Sequence, residues 1–291
     1  MSHAGHSTVD VPATLSLVVV ASVYARGWLR LRRMPGRAIG PRSLGAFMAG
    51  LVSIWIAVAS PVAALHHALL TIHMVEHVLL MAVAPPLLLL GTPALTLRYG
   101  LPFGWGRRGD RAGVRRSRGR VFRRLVTHPA VCWLAPVAAL ICWHVPAVFQ
   151  LAVHGSGWHD VQAASCVATG LLFWAPVVRP SPSFTWPRWS IPLYLFTATL
   201  PCDALSAFLV FCGRIVYPAY ASHPRTFDIS PLHDQELAGA IMWVAVTLIY
   251  VVPAMLVTTR LLSPAMTDAD PDAMAHSLAP GLLESGRGMV A

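Results

Sequence analysis

Lysine is absent from this 291-residue chain, and acidic residues are few: 12 Asp and Glu stand against 22 basic residues, all arginine. Charged residues make up 12% of the chain, about half of the quarter usual in soluble domains. That is too little charge to cover a water-soluble globule, so a soluble enzyme is excluded. A hydrophobic content of 56% excludes a disordered chain as well. Cysteine is sparse. Cys132, Cys142, Cys166, Cys202 and Cys212 are odd in number and form no CxxC pair, which argues against a disulfide framework. Buried cysteine ordinarily behaves as a small hydrophobe. There is no internal repeat and no phosphate-binding glycine motif; Gly104-Trp105-Gly106 and Gly155-Ser156-Gly157 fit turns. The net charge of +10 raises the question of nucleic acid. The arginines, however, lie between long apolar runs, so a lipid bilayer is the expected partner and nucleic acid is not.

Seven segments reach the roughly 20 apolar residues that a transmembrane helix needs: 13–29, 43–60, 69–90, 130–150, 161–178, 191–212 and 238–260. The first is short, but nothing ahead of it supplies the basic region of a cleavable signal, so it is read as a span. The spans lack barrel-type alternation. The predicted fold is therefore all-α, a polytopic seven-helix membrane bundle over residues 1–263, followed by a polar tail, 264–291, expected to be disordered. Arginine counts give the orientation. The first connection holds six arginines from Arg26 to Arg42, and the third holds ten from Arg98 to Arg124; the second and fourth hold none. Cytoplasmic loops carry such an excess, which predicts the N-terminus outside and the C-terminus in the cytoplasm. The stretch Arg107 to Arg124 would also suit anionic lipid head groups.

On this topology 11 of the 13 histidines fall in outer loops or the outer halves of helices; His128 and His276 do not. The sharpest cluster is His73-Met74-Val75-Glu76-His77 in the third span. Residues four apart share a helix face, so both imidazoles can reach one ion. His77 would lie on the order of 12 Å below the start of its helix, a depth at which ionisable groups are costly and usually functional. If the helix extends back to His66, that side chain joins the stripe. A structural pair bonded to nearby backbone is the alternative. Other spans offer partners: His144 near the outer end of the fourth, His159 at the start of the fifth with Cys166 a turn or two deeper, and His233-Asp234-Gln235-Glu236 just outside the seventh, with Met242 further along. Imidazole with soft sulfur suits copper. Asp234 and Glu236 also read as simple complements to a helix N-terminus. Asp203 sits mid-way through the sixth span after Pro201, as a relay carboxyl or as a partner for backbone freed by the proline. Pro85-Pro86 and Pro136 predict kinks. Met1-Ser2-His3 would chelate copper only if the free amine stayed at Met1, which the small Ser2 disfavours.

The run His73 to Met81 with Ala84-Pro85-Pro86 and Gly91-Thr92-Pro93 resembles the CtaG-like cytochrome c oxidase assembly factor family. So do Trp143-His144-Val145-Pro146, His159, Thr169 to Trp174, Tyr217-Pro218-Ala219-Tyr220, Asp234-Gln235, Ala238-Gly239 and Met242-Trp243, in the same order over about residues 45–260. The resemblance implies a seven-span protein of the bacterial cytoplasmic membrane. It would handle copper for the copper B centre of a haem–copper oxidase. Its partners would be the oxidase subunit carrying that centre and a copper chaperone as donor. The family pattern at the fifth span resembles His-x-x-Glu-His, whereas this chain has Gln162 and Ala163 at the last two positions.

The leading reading is a non-catalytic assembly factor holding copper through His73, His77, His144 and His159, with Glu76, Cys166, Asp203 and Asp234 as outer contacts or relay groups. Two other classes compete. A membrane haem b protein would use facing histidines such as His77 and His144 as axial ligands. A proton-coupled transporter would use Glu76, Asp203 and the histidines, although the inverted repeat of many such folds is not seen.

Overall fold

A computed structural model describes residues 9–34, 39–101, 128–179, 187, 189–221 and 228–262. The tail 264–291, the Arg107 to Arg124 stretch, and His3, His6, His223 and His276 lie outside the described residues. Those that are described contain helices and no strand. The helices are α1 (Val11–Arg32), α2 (Pro41–Val58), α3 (Leu70–Leu90), α4 (Pro93–Gly100), α5 (Pro129–His144), α6 (Pro146–His154), α7 (Ser156–Val178), α8 (Ser190–Phe211) and α9 (Pro231–Leu262), with a 3₁₀ turn at Ala63–His67 before α3 and another at Pro218–Tyr220.

Among the described residues, six helices are long and apolar enough to cross a membrane, or seven if the bent pair α5–α6 counts as one span. That pair corrects the expectation of a continuous fourth span over 130–150. Residues before a proline avoid the helical region. Val145 is accordingly extended (ψ 124°) ahead of Pro146, and the two helices diverge by 80°. The break leaves His144 at a helix end facing inward. Pro85-Pro86 is absorbed differently. The turn Leu79–Val83 just before it widens to π geometry, which re-places backbone partners that proline cannot serve, and α3 continues to Leu90.

Helix α3 is the centre of the bundle. More than half of its membrane window is buried (56%), against 17% for α1 and for α9. It packs on α2, α7 and α9, while α8 runs along α9 and α5 along α7. The main apolar core joins Met74, Val78, Phe149, Phe173, Leu195 and Met242. A second core, Tyr24, Trp28, Phe47, Leu51 and Leu88, closes the corner of α1, α2 and α3. There α4 crosses α1 so closely that a Cβ on Gly27 would lie 1.9 Å from the Thr96 carbonyl oxygen, and one on Gly100 1.9 Å from that of Val23. Only glycine allows that approach. Around the perimeter Leu15, Val19, Phe196, Leu248 and Leu256 are each more than half exposed. An apolar perimeter of this kind suits lipid rather than water.

The two ends of the bundle differ. At one, the Asp10 N–H donates to the carbonyl at the end of α2 (Ala59, 3.1 Å) close to the turn that carries His66 and His67. At the other, Arg30 donates to the Tyr99 carbonyl (2.8 Å) at the end of α4. The histidine end and the arginine end are thus opposite.

Candidate metal centre

The HxxxH pair of α3 is buried, His73 completely and His77 to within 5%. Its four-residue spacing brings the two Nε2 atoms to 3.0 Å. From α7, His159 Nε2 meets both oxygens of the buried Glu76 carboxylate, at 3.1 and 3.3 Å. The His66 ring stacks on His159 with centroids 4.3 Å apart. His66 reaches this place without the helical extension considered above. Its segment is a 3₁₀ turn, and the chain turns extended at Leu69 before α3 begins. His144, at the α5 break, lies 5.5 Å from His77 between ring centroids, and its Nε2 is 3.3 Å from Met74 Sδ. Cys166 completes the group, with Sγ 3.6 Å from His77 Nδ1. Ligand atoms of His66, Glu76 and His159 all lie within 4.8 Å of one another.

The surrounding contacts hold these rings in place. The Tyr217 hydroxyl donates to the His144 carbonyl (3.1 Å) and that of Tyr220 to the His66 carbonyl (2.7 Å). Burial raises both phenols, so they stay protonated donors. Phe149, carried by α6, meets the His73 ring edge-on and stacks on Tyr217. Asp234 accepts from the N–H groups of Leu70 (2.7 Å) and Thr71 (3.1 Å), capping α3 from the start of α9. Gln235 accepts from Val216 N–H and donates to the Leu209 carbonyl, tying the end of α8 to α9.

The polar atoms of the cluster are incompletely satisfied. The Nδ1–H of His66 donates to the Ala63 carbonyl, which leaves the Nε2 lone pair buried and without a partner. Burial first, then the neighbouring His159 and His67, pushes His66 down to about 4, so at pH 7 it is neutral, the form that binds metal. His73 Nδ1 is also buried without a partner. The residues fit a cation: imidazoles with free lone pairs, one carboxylate and two sulfur atoms. Below His77 an apolar cavity of about 50 Å³ opens between Met81, Pro136, Phe173, Cys202 and Met242.

Of the residues singled out in the sequence, His73, His77, His144, His159, Glu76 and Cys166 come together. Asp203 and Asp234 do not join them. Asp203 accepts from the Thr247 hydroxyl (3.4 Å) between α8 and α9, and Asp234 serves the α3 N-terminus. His233 is exposed and pairs with Glu236 at 3.5 Å. The five cysteines are free thiols. Met74 was not assigned from sequence, and His66 was given a place only on the condition that α3 extended back to it. Met74 stands three residues from His77, hence on its face, a signal that was available. His66 is reached only through a non-helical turn, which periodicity does not encode.

A helical membrane protein with a buried histidine–carboxylate cluster at one end of its bundle is the class that these features define. Residues 22–263 match the family described as cytochrome c oxidase caa3 assembly factor, and the chain belongs to that family. Similar proteins include an uncharacterized protein of Mycobacterium bovis, 28% identical over 233 residues, and one of Mycobacterium leprae, 25% identical over 235. These alignments cover 78% and 79% of this chain but 35% and 36% of the relatives, so the chain spans about a third of their length. No solved structure matches the chain. At the position of the expected His-x-x-Glu-His, Gln162 is buried with no partner for its Nε2, and Ala163 packs in an apolar group with Cys166 and Trp143.

Proposed function

We propose that this chain is a non-catalytic assembly factor that binds copper as cargo at the histidine cluster and passes it to the haem–copper oxidase subunit that carries the copper B centre. The observation that carries the reading is the buried group of imidazoles set around one carboxylate, in which His66 Nε2 and His73 Nδ1 have no hydrogen-bond partner. An unpaired buried polar atom costs about 1–3 kcal/mol, and a bound cation removes that cost. His73, His77, His144 and His159 serve as ligands, joined by His66 and Glu76. The chain crosses the bacterial cytoplasmic membrane with the histidine end outside, where a copper chaperone delivers, and the arginine end in the cytoplasm. With the α5–α6 pair as one span, seven spans place the C-terminus inside.

The test is the oxidase itself, produced in cells whose only copy of this protein is wild type or His73→Ala/His77→Ala. The expected outcome is an oxidase from the variant strain that keeps its haem but lacks copper B. Full copper B occupancy in that strain would overturn the proposal.

A further inference from the structure

The donors at the two ends of the cluster differ in chemistry. His66, Glu76 and His159 offer nitrogen and oxygen near the start of α3. His77 and His144, by contrast, are accompanied by the sulfur atoms of Cys166 and Met74, and Cys166 lies seven residues, roughly 10 Å at 1.5 Å per residue, further along α7 than His159. The contact between His144 and Met74 is the telling one. His144 Nδ1–H donates to the Leu140 carbonyl at 2.7 Å, so in the neutral ring Nε2 carries only a lone pair. A thioether sulfur has no proton to give. Two acceptors thus face each other at 3.3 Å in a buried site. Protonating His144 would supply a donor but would bury a cation, while the Glu76 carboxylate is already engaged by His159. A soft metal ion between the two atoms satisfies both. The neighbouring chain has a similar gap. Whichever way protons run through Cys166, His77 and His73, His73 Nδ1 is left without a partner at its end.

We infer that the cluster contains a second cation position, deeper than the His66–Glu76–His159 set, formed by His77, His144, Met74 and Cys166 and selective for a soft monovalent ion, Cu(I) or its analogue Ag(I). The inference rests on the copper reading above and deepens it. Nitrogen with thiol and thioether sulfur favours Cu(I) over divalent ions that prefer oxygen. His73 links the two positions. Its ring lies 6.2 Å from His66 and 6.3 Å from His159 between centroids, and its Nε2 is 3.0 Å from that of His77. The cargo thus moves inward as Cu(I) throughout, from a nitrogen–oxygen set to a nitrogen–sulfur set, with no redox step.

The test is anaerobic loading of the full chain in detergent with Cu(I), followed by metal counting and X-ray absorption. Wild type is expected to hold two equivalents with a copper–sulfur scattering path. Met74→Leu/Cys166→Ser should lose that path and one equivalent, and its affinity for Ag(I) should fall at least tenfold. His66→Gln/Glu76→Gln should lose the other equivalent and keep the sulfur path. Copper bound by wild type in an all-nitrogen-and-oxygen environment would sink the deeper position and leave the copper reading standing. Persistence of the sulfur path in the Met74→Leu/Cys166→Ser variant would also sink it. Absence of any bound copper in wild type would remove both.

Discussion

Two buried regions of this bundle treat their polar groups in opposite ways. At the corner of α1, α2 and α4 the chain satisfies its own. The Tyr24 hydroxyl reaches the Gly91 and Ser43 carbonyls, Trp28 Nε1 reaches the Gly40 carbonyl, and Thr96 bonds back to Thr92. Around the N-terminal half of α3 the supporting groups are equally well paired, yet the imidazoles that they position are not. His66 Nε2 and His73 Nδ1 have no partner, and His144 Nε2 faces a sulfur. At the corner the protein completes its own polar groups, and single unpartnered atoms occur elsewhere at Trp133, Gln162, Trp174 and Ser206. At the α3 cluster such atoms gather with a carboxylate in one place, the arrangement a ligand would need. That contrast, more than the number of histidines, separates a site from a polar core.

The contrast can be broken from either side. The largest effect is expected at the corner. Gly27→Val would drive a side chain into the Thr96 carbonyl, and overpacking against backbone should cost about 3 kcal/mol, the upper end of the usual range, seen as loss of monodisperse protein in detergent. Tyr24→Phe should cost about 1 kcal/mol through its lost hydrogen bonds, measured as a lower thermal midpoint. His73→Leu removes one buried orphan but takes the partner of His77 Nε2 away, so the two effects should offset to within about 1 kcal/mol and leave the midpoint of the metal-free protein close to wild type. A large loss there would mean that the imidazole is a structural group after all.

A smaller effect follows from His66. Its folded value, about 4, lies below the ordinary 6.5, so the unfolded chain takes up a proton that the folded chain refuses. The stabilising contribution is fully present above pH 6.5 and is lost as pH falls towards about 4. Thermal midpoints of the metal-free protein between pH 7 and pH 4 should therefore fall less steeply for His66→Gln than for wild type. Parallel curves would contradict the buried, neutral placement of this ring.

Much of this was legible in the sequence, and what was not has physical reasons. Apolar length and composition revealed the helices, and the i, i+4 histidines gave the pairing in α3, because both signals are local. The bend at Val145 was foreshadowed by Pro146, but a hydropathy pattern reads straight through it. Asp234 looked like a complement to its own helix; it caps a different one, α3, 164 residues away in sequence. Asp203 looked like a relay group, and its partner, Thr247, is on a neighbouring helix. Cross-helix partners of this kind depend on packing order, which no periodicity records. The Tyr217 and Tyr220 hydroxyls that hold His144 and His66 belong to the same category.

The most direct measurement is copper content together with an optical spectrum on protein purified in detergent, for wild type and His73→Ala/His77→Ala. A copper centre at the α3 cluster predicts near-stoichiometric copper in wild type, its loss in the variant, and no Soret band in either. Copper content unchanged by the double substitution, or a Soret band in wild type, would contradict it.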